Sequence, residues 1–144
     1  MAQYKTDCLF CKFCKHELGA AIAYEDDKVL AFLDINPAGT LSGHTLIIPK
    51  KHFETIDQVE EGYLQALSLA VKMLVPAIKK VSGAEGMNII QNNGKVAGQL
   101  IPHVHIHLIP RTHGDGIRID ENRRMAKPLE QTEIAQAIKE ELKN

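Results

Sequence analysis

Residues 102–110 read Pro-His-Val-His-Ile-His-Leu-Ile-Pro, and no other stretch restricts the possible folds as strongly. His103, His105 and His107 occupy alternate positions, with Val104, Ile106 and Leu108 filling the sequence after each. Alternation of this kind predicts a β-strand, because successive side chains of an extended chain leave opposite faces of the sheet. Three imidazoles would then stand in a row, neighbours roughly 6.5–7 Å apart. The other face is apolar and can pack on a core. A proline at each end is expected to limit the pairing. A half-exposed strand whose polar positions happen to be histidine is the plainer reading. Three of the chain's seven histidines fall here at strand spacing, however. Imidazole titrates near neutral pH, ligates metals and acts as a nucleophile, so the row points to chemistry.

A chain of 144 residues suits one domain with an ordinary core. A formal net charge of −1 provides no broad cationic field for a nucleic-acid backbone. No apolar run reaches the length of a membrane span. The first residues lack the apolar core of a signal peptide, which predicts a cytosolic protein. Three cysteines in such a chain argue for metal binding or reduced thiols rather than a disulfide framework.

Cys8-Leu9-Phe10-Cys11 is a CxxC pair, and Cys14 follows at the same interval. A CxxC pair forms a tight hairpin of thiolates that supplies half of a tetrahedral zinc shell. Buried thiols packing as small hydrophobes are the alternative. Ala21–Glu25 and Val29–Leu33 flank Asp26-Asp27-Lys28 and predict a β-hairpin. Asp34 ends its second strand, where a carboxylate can accept two hydroxyl hydrogen bonds, as a ribose offers, or close an Asx-turn. After a small-residue loop, His44–Pro49 predicts a third strand, with Lys50, Lys51 and His52 beyond it.

From Thr55 to Ser82 the period becomes helical, with Leu64, Leu67, Ala70 or Val71, Leu74 and Ile78 at three- and four-residue steps. Asp57 is the expected N-cap, Pro76 a point of kinking, and Ser82-Gly83 the stop. Met87–Gln91 predicts a fourth strand, running into a loop, Asn92 to Gln99, with an Asn-Gly turn and a second glycine. Exposed N–H groups in such a loop can cradle an anion, with Asn92 and Gln99 adding donors. Leu129 to Leu142 predicts a terminal amphipathic helix, while Ile117 to Lys127 has no clear period.

The possible ligands add up to Cys8, Cys11, His52 and His103, a closed structural zinc set. That leaves His105 as a candidate nucleophile, with a neutral imidazole oriented by an acceptor on its second nitrogen. The adjacent Gly94–Gln99 loop offers donors where a phosphoryl group accumulates charge, so the expected electrophile is phosphorus. His107 and His44 would contact the phosphate.

His103-Val-His105-Ile-His107-Leu-Ile closely resembles the signature of the histidine triad (HIT) family of nucleotide hydrolases and transferases. The resemblance extends through Asp7–Lys12, Tyr24–Pro37, Gly43–His52, Asn92–Gly94 and Gly98-Gln99. It implies an α+β fold: a five-stranded antiparallel sheet, one long helix packed on it and a C-terminal helix. A core at residues 7–111 would be followed by an extension at 112–144, all in one domain that forms a homodimer. Carried over by position, it makes His105 the nucleophile on the α-phosphate of a purine nucleotide. His44, Asn92, Gly98, Gln99 and His107 would line the phosphate site, with His44, Gln99 and His107 assisting the chemistry. Asp34 would hold the ribose, and Leu9, Phe10, Phe13, Phe32 and Ile35 the base. Zinc-bearing members use a CxxC pair with two histidines, matching Cys8, Cys11, His52 and His103. The branch is similar to bacterial and archaeal nucleotide-binding hydrolases, with phosphoramidates or dinucleoside polyphosphates as expected substrates. Leu100 departs from the pattern, standing where many relatives carry a hydroxyl residue, and the Asp34–His44 loop is slightly longer. The rival readings are a non-catalytic nucleotide-binding scaffold and a metallohydrolase whose three histidines share one ion.

Overall fold

A computed structural model of the chain describes residues 4–39, 41–117 and 125–144. The elements are α1 (Leu9–Cys14), β1 (Ile22–Glu25), β2 (Val29–Leu33), β3 (Thr45–Pro49), α2 (Glu61–Ser82), β4 (Gly86–Gln91), β5 (Ile106–Arg111) and α3 (Pro128–Leu142). The strands form one antiparallel sheet in the order β1-β2-β3-β5-β4. This is the α+β architecture that the resemblance implied. Among the described residues no helix is long and apolar enough to cross a membrane.

The sheet is covered on both faces, and the sequence of β2 shows why. Val29 to Leu33 is buried at every position, so the strand lacks polar alternation. Val29, Ala31 and Leu33 join Ile47 and Leu108 against Leu67, Leu74 and Ile78 of α2 and Ile138 of α3. Leu30 and Phe32 face the other way and join Leu46 and Ile48 against Phe10, Phe13 and the three cysteines around α1. The N-terminal arm therefore lies across one face, on the side where the odd-numbered histidines emerge. The β1–β2 hairpin turns as expected, because Asp26 Oδ1 accepts the N–H groups of Lys28 and Val29, both at 2.8 Å.

Several elements differ from the sequence reading. The strand expected at 102–110 begins only at Ile106. After Pro102 the His103 N–H closes a tight turn onto Ile101 O (2.8 Å), and the Val104 N–H donates to Phe53 O (2.8 Å). Those bonds tie the segment to the loop after β3 instead of to the sheet ladder. His103 and His105 thus stand just before β5 and only His107 stands within it. Pro110 does not stop the strand: it pairs with Met87, beyond the last β3 partner at Leu108, where β5 has a neighbour on one side only. His44 likewise precedes β3.

The long helix starts at Glu61, not after Asp57. Residues Ile56–Gln58 form a separate 3-10 turn, held by Asn93 Oδ1 accepting the Ile56 N–H at 2.8 Å. Asp57 therefore caps no α-helix. Pro76 lies within α2, which runs on to Ser82. The CxxC segment is not a hairpin but a short helix, with Cys8 at its N-cap.

Candidate active site

A cleft of about 600 Å³ opens on the sheet face that α1 covers. Leu9, Phe10 and Phe13 of α1, Phe32 of β2 and Ile35 beyond it supply apolar walls. The three phenylalanines pack on one another, with Phe10–Phe32 and Phe13–Phe32 ring centroids 5.5 and 5.1 Å apart. Such a wall suits a flat heteroaromatic ring. Ile35 is 55% exposed, at the mouth. Asp34, Asn92, Gly98, His105 and His107 line the same cleft. Gly19, Ala20 and Ile90 do too, and the sequence reading missed them. Ile90 pairs across the ladder with His107 and so shares its face of the sheet.

The backbone fixes the histidine tautomers. His105 Nδ1 lies 2.7 Å from His103 O, and a carbonyl can only accept. His105 therefore carries its proton on Nδ1 and its lone pair on Nε2. Phe10 meets this ring edge-on at 5.2 Å between centroids. The Ala38 N–H donates to His44 Nδ1 at 2.8 Å, so neutral His44 is protonated on Nε2. That N–H donates to His107 Nδ1 at 3.0 Å, with Asp34 Oδ2 3.5 Å away. His107 must then hold its proton on Nε2, a donor suited to an anion. His44 is fully buried behind this arrangement and does not line the cleft. Asp34 Oδ1 accepts the Asn36 N–H at 2.9 Å in an Asx-turn, and the residue lines the cleft.

Gln99 differs from its expected place. It is 6% exposed, its Oε1 accepts the Gly94 N–H and its Nε2 donates to Glu54 O, both at 2.7 Å. Its amide braces the loop from behind instead of facing the cleft. Gly94 and Gly98 take φ of 88° and 92° around a 3-10 turn at Lys95–Ala97, a conformation that favours glycine. Leu100 is 80% exposed and lines the cleft, so the position expected to hold a hydroxyl offers an apolar surface.

A second cluster lies beside the first. His103 Nε2 donates to Pro49 O at 2.8 Å, which leaves the lone pair on Nδ1. Around it stand Cys8 Sγ at 3.4 Å, Cys11 Sγ at 3.6 Å and His52 Nδ1 at 3.2 Å, with Cys11 Sγ to His52 Nδ1 at 3.4 Å. Tetrahedral zinc at ordinary bond lengths would set sulfur–nitrogen edges of about 3.5 Å and nitrogen–nitrogen edges of about 3.3 Å. The donor types and spacings fit that ion. Among the described residues, buried His52 Nε2 has no hydrogen-bond partner, and the ring's polar contacts are on its Nδ1 side. Burial pushes the Cys11 thiol up to about 11 and holds the His103 imidazole down to about 4, which keeps that ring neutral. Cys14 stands outside the set, its thiol pushed up to about 12 by burial.

Asp34, His44 and His107 also converge, but this group refuses a metal. The Ala38 N–H occupies His44 Nδ1, so Nε2 must carry a proton and cannot ligate. The histidines therefore divide between two clusters, with His103 facing the thiols, instead of clasping one ion.

Residues 15–114 match the family described as the HIT domain. The chain belongs to the histidine triad (HIT) family. It is 50% identical over 109 residues to an uncharacterized HIT-like protein of Methanocaldococcus jannaschii, covering 76% of this chain and 82% of that one. It is 39% identical over 108 residues to an adenosine 5'-monophosphoramidase of Candida albicans, covering 72% and 70% of the two chains. A zinc-bound histidine triad family protein from Mycobacterium smegmatis superposes with a TM-score of 0.82 at 30% identity, covering 95% of this chain and 94% of that chain.

Proposed function

We propose that this HIT protein is a hydrolase of purine nucleotides substituted on the α-phosphate, acting through a nucleotidyl-histidine at His105. Adenosine phosphoramidate is the favoured substrate, with dinucleoside polyphosphates the alternative within the same chemistry. The observation that carries the reading is the 2.7 Å bond from His105 Nδ1 to His103 O, which gives Nε2 the lone pair in a ring that lines the cleft. A neutral imidazole so oriented is a competent nucleophile. The relation to a named monophosphoramidase supports the substrate class.

His105 Nε2 attacks the α-phosphorus, forming a P–N bond as the bond to the leaving amine breaks. The amine takes a proton from solvent water and departs, and the hydrolysis step returns that proton. Water then attacks the phosphorus, the P–N bond breaks, and the nucleoside monophosphate leaves with one proton released. The His107 Nε2–H stabilises the phosphoryl oxygens, and Asn92 stands beside it in the cleft. Asp34 accepts the ribose hydroxyls and the phenylalanine wall takes the base. Gln99 acts by bracing the loop.

Cys8, Cys11, His52 and His103 would hold a structural zinc. The ion would tie the N-terminal arm to the segment that presents His105. Reduced, buried cysteines suit a cytosolic setting. A homodimer is expected, and β4, a sheet edge with Ile89 54% exposed, is the strand open to a second copy.

The test is turnover of adenosine phosphoramidate by the parent and by His105→Ala, with AMP affinity measured alongside. Ammonia release by the parent and its loss in a variant that still binds AMP support the reading. Parental turnover in His105→Ala, or AMP binding by the parent without any turnover, refutes it.

A further inference from the structure

The family match ends at residue 114, yet the chain beyond it reaches back to the cleft. The loop between β2 and β3 carries Asp34, Ile35 and Asn36, which line the cleft, and Ala38, whose N–H sets the His44 tautomer. Among the described residues, the C-terminal extension touches this loop through Ile117, Ala126, Glu130 and Gln131. The Gln131 side chain donates from Nε2 to Asp34 O at 2.6 Å. The Ala126 N–H donates to Ile35 O at 2.9 Å. Ser42 Oγ donates to Glu130 Oε1 at 2.8 Å. Ile117 covers Gly39 so closely that a Cβ there would collide with its side chain.

We propose that Gln131 is a positioning residue for the nucleotide and that α3 sets the ribose selectivity of the cleft. The inference rests on the reading of Asp34 as the ribose-binding carboxylate. Gln131 is well placed for the task because α3 is fixed independently of the loop. Ala135 and Ile138 bury one and two turns further along, in the core shared by the sheet and α2. A donor on this rigid helix holds the carbonyl of the very residue whose carboxylate must meet two hydroxyls. Hydrogen bonds to those hydroxyls tolerate only a few tenths of an ångström of displacement. The same clamp steadies Ala38 and, through His44, the ring of His107. The extension thus shapes the cleft without entering it.

The experiment compares dissociation constants for AMP and 2',3'-dideoxy-AMP by titration calorimetry, which needs no turnover and so stands apart from the covalent chemistry. The parent should prefer AMP. Gln131→Met keeps the length of the side chain and removes the donor, so it should shrink that preference by about threefold to tenfold. In an Asp34→Ala background the same substitution should change the preference no further. A melting curve for each variant shows whether it is folded. An unchanged preference in folded Gln131→Met overturns the proposal, and so does an equal loss in both backgrounds, which marks a general loosening. A parent that binds both nucleotides alike removes the ribose role of Asp34, and the proposal falls with it. Loss of turnover in every form while the AMP preference behaves as expected sinks the covalent mechanism and leaves the positioning role standing.

Discussion

Gln99→Ala tests whether the loop before the histidines acts through its shape. The side chain is 6% exposed and makes two bonds of 2.7 Å, one from the Gly94 N–H and one to Glu54 O. Each neutral bond contributes about 1 kcal/mol net, so the pair contributes about 2 kcal/mol. Water can reach Glu54, which sets the loss near that figure and not above it. For a chain of this size the melting temperature should fall by about 4–8 °C. The kinetic effect is the sharper part. If the braced loop holds Gly98 and the histidine segment after it in place at the phosphate, slackening it should lower kcat by about tenfold to a hundredfold, with a smaller change in KM. Differential scanning fluorimetry and steady-state kinetics on adenosine phosphoramidate read both quantities. A variant that loses the expected stability but keeps parental kcat refutes the claim that this brace preorganises the phosphate site. A variant with parental melting refutes the brace itself.

Replacing His44 with Phe removes the donor to His107 Nδ1, and kcat should fall about a hundredfold while AMP affinity changes little; equal kcat in a folded variant contradicts the tautomer assignment. Chelation should lower the melting temperature by several degrees and added zinc should restore it, whereas Cys11→Ser should lose the metal by elemental analysis; metal retained at one equivalent in that variant contradicts the ligand set. For Asp26, burial alone would raise the carboxyl pKa, but the Lys28 and Val29 N–H groups and the Tyr24 hydroxyl outweigh it and hold the carboxyl below its ordinary value. A lowered folded pKa gives stability that is present above the unfolded value and lost as pH falls through the folded one. Asp26→Ala should therefore be destabilised by about 1 kcal/mol at neutral pH in urea titrations, with the gap to the parent closing below about pH 4; a pH-independent gap contradicts the assignment.

The sheet and the helices were legible because their signals are local. Short apolar runs, an Asp-rich turn and a helical stripe place β1 to β4, α2 and α3 within a few residues. The late starts of the strand and the long helix share one cause, which is competition from contacts distant in sequence. The Val104 N–H finds Phe53 O, and Ile56 finds Asn93, so the strand and the helix both start later than pattern alone suggests. The site was legible as a set of side chains, and the cleft gathers Asp34, Asn92, Gly98, His105 and His107. What orients them was not legible. The decisive partners are the His103 and Pro49 carbonyls and the Ala38 N–H, backbone atoms that every residue carries and no motif encodes. Gln99 shows the converse, since its type was informative but its direction depended on Glu54, a residue far away in sequence.

The central claim is that His105 Nε2 bonds to the α-phosphorus. Rapid acid-free quenching of the reaction with adenosine phosphoramidate, followed by peptide mass spectrometry, measures this directly. A transient adenylyl group on the peptide holding residues 103–107, localised to His105 and absent in His105→Ala, is the expected result. An adduct on His107 or His103, or steady turnover with no adduct at any quench time, contradicts it.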